Sequence, residues 1–139
     1  MKITMIDASN YFKGLLLLIG KDRKITDPEI EMMQRIGKAL RFEKKFCDTA
    51  IHDILENRYI LDRPPEFSTK ELATKFMKDG LTLAASDNEI HPFEEEWLLS
   101  TAKINGLDIE WFIQEKQKTM NRKSIQAYLE VDGLTVDYS

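Results

Sequence analysis

Four carboxylates are spaced so that they could hold a hard cation. Asp22 follows the apolar run Leu15 to Ile19, and Glu29 comes seven residues later, where a second helix should begin. Asp87 and Glu94 repeat this arrangement after Leu81, Leu83 and Ala84. A tight bend between two helices would bring each Asp and Glu together. Oxygen-only clusters of this kind suit Ca²⁺ or Mg²⁺. The candidate metal ligands are therefore Asp22, Glu29, Asp87 and Glu94, with Asp27 and Glu95 as outer-shell candidates. A plainer account competes with this one. Acidic side chains are favoured at helix N-termini by the helix dipole and by backbone N–H groups that lack intrahelical partners, with no ion required.

Other chemistry is poorly supported. The second copy offers Asp87, Glu89 and His91 at alternate positions, like the start of a calcium loop. It then has Pro92 where the sharp-turn glycine belongs and Leu98 where the bidentate glutamate belongs, so an EF-hand is excluded. His91-Pro92-Phe93 lacks the aspartate of a His-Pro-Asp motif and reads as a helix cap. A lone histidine beside Glu94 and Glu95 makes a poor zinc site. Asp48 and His52 share a helix face, but Cys47 is five residues from His52, which turns the thiol away from the imidazole. Glycine-rich phosphate loops, nucleophile elbows and paired cysteines are absent. Trp97, Trp111 and Phe112 fall at inward helical spacing and read as core. No catalytic residue and no organic cofactor is assigned.

The elements that position the carboxylates are helices. A shift of 65 residues places Lys13 on Lys78, Leu16 on Leu81, Asp22 on Asp87, Ile25 on Ile90, Glu29 on Glu94 and Lys38 on Lys103. Each copy reads as helix, acidic connection, helix, which predicts a duplicated helical hairpin. The first helix is expected from Ala8 or Ser9, capped by Asp7 or Ser9, with Phe12, Leu15, Leu16 and Ile19 on a central face. Thr26 and Glu29 have capping-box spacing, and Asp27-Pro28 fits an alternative start. Ile30, Met33, Gly37 and Leu40 then point inward. A third helix over 43–55 should bury Phe46, Ala50 and Ile54. The stretch 57–67, with Pro64-Pro65, connects the halves. Ser68 and Glu71 form a further capping-box pattern for a fourth helix, reaching about Ala85. Pro92 opens a fifth, with Phe93, Trp97, Thr101 and Ile104 inward, and Asp108 caps a sixth with Ile109, Phe112, Ile113 and Met120 on one side. Residues 1–7 read as a loose lead-in. The tail after Arg122 reads as a short helix and an extended end, or as a small hairpin about Asp132-Gly133. The predicted fold is an all-α, single-domain bundle of six to seven helices. Its duplicated hairpins are related by a pseudo-twofold axis, its core spans about 8–120, and the tail 123–139 is unassigned.

The duplicated "Asp, two residues, Ile, three residues, Glu" between helices resembles the TerB-like tellurite-resistance family. Asp22, Ile25 and Glu29 carry the likeness in one half, and Asp87, Ile90 and Glu94 in the other, over roughly residues 8 to 115. Arg23 and Asn88 stand where glycine often follows the aspartate. The resemblance implies an all-helical pseudo-twofold bundle, a cytoplasmic location, an acidic ion-binding centre and a link to metal, tellurite or general stress. It does not imply an enzyme. The domain in that family also serves as an accessory module beside other domains.

Composition narrows the partners. With 139 residues, 42% apolar and 32% charged, the chain fits one compact domain. A formal charge of −4 argues against nucleic acid as a general partner. The longest apolar run is too short to cross a bilayer, and no signal peptide is recognisable. Cys47 is the single cysteine, which excludes an internal disulfide and suits a reducing compartment. Two functions follow as expectations. One is a non-enzymatic protein that binds a divalent cation or a protein partner in a stress response. The other is a metal-free interaction module whose partner lies in a helical groove.

Overall fold

A computed structural model describes residues 1–21, 25–56, 63–122 and 128–138. Six helices dominate: α1 (Met5–Ile19), α2 (Asp27–Ala39), α3 (Lys44–Glu56), α4 (Lys70–Ala84), α5 (Pro92–Ile104) and α6 (Ile109–Asn121). Two short strands, β1 (Lys2–Thr4) and β2 (Thr135–Asp137), pair in parallel with Ile3 opposite Val136. The fold is an all-α bundle, as the helical periods predict, with the two chain ends joined in a small sheet. Each helix of the second half begins and ends 65 residues after a helix of the first.

The two helices that bury the most residues are central. α1 buries Tyr11, Phe12 and all of Leu15 to Ile19, and it packs against α2, α3, α4 and α5. α4 buries Leu72, Phe76, Met77, Leu81 and Leu83, and it packs against α1, α5 and α6. Buried side chains of both halves join one hydrophobic cluster. The other four helices are amphipathic and lay one face on this pair.

Several expected starts move. α1 begins at Met5 with Thr4 as its cap, because the Thr4 hydroxyl accepts the Asp7 N–H at 3.1 Å. Asp7 is buried in the first turn and accepts the Ser68 N–H and hydroxyl. Ser68 is thus used across the molecule, and Thr69 caps α4 by accepting the Leu72 N–H at 3.1 Å. The lead-in is β1 rather than loose chain, and the partner of β2 is β1, so the tail forms no hairpin about Asp132-Gly133. The expected short helix at 125–129 falls largely outside the described residues.

Some inward assignments also fail. Phe46 is 55% exposed, and Cys47 with Ile51 fills the inner face of α3. Phe93, Ile104, Ile113 and Met120 are exposed, while Trp97, Thr101 and Phe112 are buried as expected. A helical period identifies a stripe but not how much of it the neighbouring helices cover.

Candidate functional site

Both sequence-nominated glutamates sit at the third helical position, and both are built into caps. At α2, Thr26 is the N-cap, and its hydroxyl oxygen accepts the Glu29 N–H at 3.3 Å. Glu29 reaches back, and its Oε1 accepts the Thr26 N–H at 2.9 Å and the Thr26 hydroxyl at 3.0 Å. At α5, His91 is the N-cap, and its Nδ1 accepts the Phe93 N–H at 3.2 Å. Glu94 Oε1 accepts the His91 N–H at 3.1 Å. Pro28 and Pro92 lie within the first two helical positions, where a missing N–H costs nothing. Of the two starts that the sequence allows for α2, the Thr26 capping box is the one formed.

Glu29 and Glu94 are 4% and 3% exposed. The positive end of a helix dipole and the N-cap amides stabilise a carboxylate there, and the same field opposes a cation. Asp22 and the Asp87 side chain, the nominated partners of Glu29 and Glu94, lie outside the described residues. Of the outer-shell candidates, Asp27 is exposed in the first turn of α2. Glu95 accepts from the Lys116 ammonium at 2.6 Å and ties α5 to α6. Among the described residues, no group of three or more His, Cys, Asp or Glu side chains gathers as a metal site would require.

Cys47 is 2% exposed, and burial pushes its thiol upward, away from the thiolate. His52 faces Glu56 at 3.4 Å. No nucleophile is assembled from Cys47, Asp48 and His52.

Two features escape the sequence analysis. Asp79 is 1% exposed inside α4 and gathers three donors: the Tyr11 hydroxyl at 2.6 Å, the Glu130 N–H at 2.6 Å and the Val131 N–H at 2.9 Å. It thereby binds the tail to α1 and α4. Burial, above all, raises its carboxyl to about 6, against the lowering effect of these hydrogen bonds. The available signal was an aspartate between Phe76 and Leu83 on an apolar helical face.

The second is a groove of about 540 Å³ along α5, lined by Phe93, Glu96, Trp97, Ser100 and Ile104, with Lys21 and Pro64 opposite. Phe93 and Ile104 are 58% and 43% exposed, and Trp97 forms a buried floor. The Lys21 ammonium lies 5.9 Å from the centroid of the Trp97 ring. Burial lowers the Lys21 pKa.

Comparison with protein families, with characterised proteins and with solved structures finds no match to this chain. Among the described residues, no helix is long and apolar enough to cross a membrane.

Proposed function

We propose that the protein is a non-enzymatic, TerB-like interaction module that takes an amphipathic helix of a protein partner along α5. One observation carries this: Phe93, Trp97, Ser100 and Ile104 recur at i, i+4, i+7 and i+11 along an open groove. That row spans roughly 16 Å at 1.5 Å per residue. Helix-in-groove recognition needs anchors over about two turns, so the groove is long enough. The exposed rings and aliphatic chains at both ends supply apolar area that the monomer leaves in water. The TerB-like assignment rests on the duplicated motif, and the 65-residue repetition of helix bounds supports a pseudo-twofold pair of hairpins. A cytoplasmic role in metal, tellurite or general stress follows from that resemblance alone.

A photo-crosslinking side chain at position 93 or 104, introduced in the producing cell, should yield a discrete protein adduct. The same group at exposed Glu71 should not. Ile104→Asp should abolish the adduct formed from position 93 while changing stability by no more than about 0.5 kcal/mol, because Ile104 faces solvent. Absence of a discrete adduct at both α5 sites would sink the proposal.

A divalent-ion site is the second proposal, favoured by two buried glutamates at the same position of α2 and α5. An ion bound only by the folded state would stabilise it by about 2.7 kcal/mol at one hundred times its dissociation constant. Melting with millimolar Ca²⁺ or Mg²⁺, against matched monovalent salt, separates the two. Under the interaction proposal neither wild type nor Glu29→Gln/Glu94→Gln gains from the ion. A gain in wild type that the double variant loses would assign the glutamates to a metal.

A further inference from the structure

The connection between α2 and α3 bounds a second groove, of about 430 Å³, lined by Gln34, Arg35, Lys38, Phe42, Lys44 and Cys47. Among the described residues, its polar wall carries three cations and no carboxylate, in a chain whose formal charge is −4. Arg35 is held by Asp132 at 2.5 Å, and the Gln34 amide donates to Asp48 at 3.0 Å. Among the described residues, Lys38 and Lys44 have no acidic partner, and both are exposed. The floor is apolar. Phe42 stacks edge-on against buried Phe12 at 5.4 Å and lies 5.5 Å from the exposed ring of Phe46.

The shape comes from one close approach. A Cβ on Gly37 would run into the Cys47 sulfur, so glycine lets α2 and α3 draw together there. Sixty-five residues on, Gly37 and Cys47 become Ala102 and Phe112, and the Phe112 ring is buried. The small cysteine stands where the second half has a large ring.

We infer that this groove binds a small anionic amphiphile, a free alkyl monocarboxylate. Its carboxylate sits between Lys38 and Lys44, and its chain lies on Phe42 and Cys47. A volume near 430 Å³ lies within the range of small-molecule sites. An acidic helix is the poorer fit. The α2 side of the groove runs only from Gln34 to Lys38, about 6 Å, and helical anchors at i and i+7 need about 10 Å. Charge complementarity selects the head group, and the aromatic floor selects the tail. The site is separate from the α5 groove, so either can fail without the other.

Dodecanoate, titrated below its micelle concentration into the full chain, tests this by amide chemical shifts. Saturable, submillimolar binding is expected, with shifts centred on Gln34, Lys38, Phe42 and Cys47. Lys38→Glu/Lys44→Glu should weaken it by about tenfold or more, as should replacement of the probe by dodecanol. Lys103→Glu, the counterpart of Lys38 in the second half, should bind as wild type. If the charge-reversed variant is not folded, Lys38→Ala/Lys44→Ala serves in its place. No saturation, equal binding of the alcohol, undiminished binding by the lysine variants, or binding of an acidic helical peptide in preference to dodecanoate would each overturn the inference.

Discussion

Asp79 is an ionisable group whose state is decided by neighbours far away in sequence. Tyr11 comes from α1, the Glu130 and Val131 amides come from the tail, and Lys75 sits 3.2 Å from the Glu130 carboxylate beside them. Removal from water outweighs three hydrogen bonds, so the folded carboxyl titrates near 6, above its ordinary value of 3.8. A folded pKa above the unfolded one means that the native state binds the proton more tightly. The stability it contributes is therefore full below about pH 4 and is lost as pH rises through about 6. Asp79→Asn removes this titration. The stability of wild type minus that of the variant should fall by up to about 3 kcal/mol between pH 4 and pH 7, measured by urea unfolding. A difference that is flat across this window would show that Asp79 does not change its proton on folding.

At the scale of the element, α2 and α5 are built alike at both ends. Each starts in a capping box, and each ends with the Schellman pattern. The Phe42 N–H donates to Gly37 O and the Arg41 N–H to Lys38 O. In the second half, the Leu107 N–H donates to Ala102 O and the Gly106 N–H to Lys103 O. The residue after the cap must then adopt a left-handed backbone, and φ is +64° at Arg41 and +70° at Gly106. Glycine adopts this freely, whereas an L side chain is strained. Arg41→Gly should therefore raise stability by about 0.5–1 kcal/mol, even though it removes a charge and opens no cavity. Gly106→Ala should lower it by a similar amount, and thermal melting of the pair checks both signs.

At the scale of the whole molecule, the chain ends close the bundle. Leu129 and Val131 are fully buried, and Leu134 and Val136 nearly so. The N-terminal ammonium donates to Gly133 O at 2.9 Å, and the Tyr138 hydroxyl donates to Leu40 O at 2.6 Å. Arg35 and Asp132 add a link from α2. A tail that merely trailed from α6 would tolerate truncation of its side chains. This one should not: Leu129→Ala is expected to cost about 2–5 kcal/mol, the range for a buried leucine. A loss below about 0.5 kcal/mol would mean that the strap adds nothing to the core.

The features legible in the sequence are those made between residues a few positions apart. Thr26 with Glu29, and His91 and Asp108 as caps, are local features, so spacing alone revealed them, whereas the reach of Glu94 back to the His91 N–H did not stand out. The six helices and the central place of Leu15 to Ile19 followed from periodic apolar residues, because burial on one face needs that period. The β1–β2 pairing, the Asp79 clasp and the use of Ser68 by Asp7 join residues 51 to 133 apart, and no local pattern marks them. Tertiary structure also decided which apolar residues stay in water. Phe46, Phe93 and Ile104 lie on helical stripes like their buried neighbours, and only the placement of adjacent helices leaves them uncovered. The candidate surfaces therefore became visible where packing stopped, whereas the glutamates that spacing singled out are drawn into the helix starts by their own backbone amides.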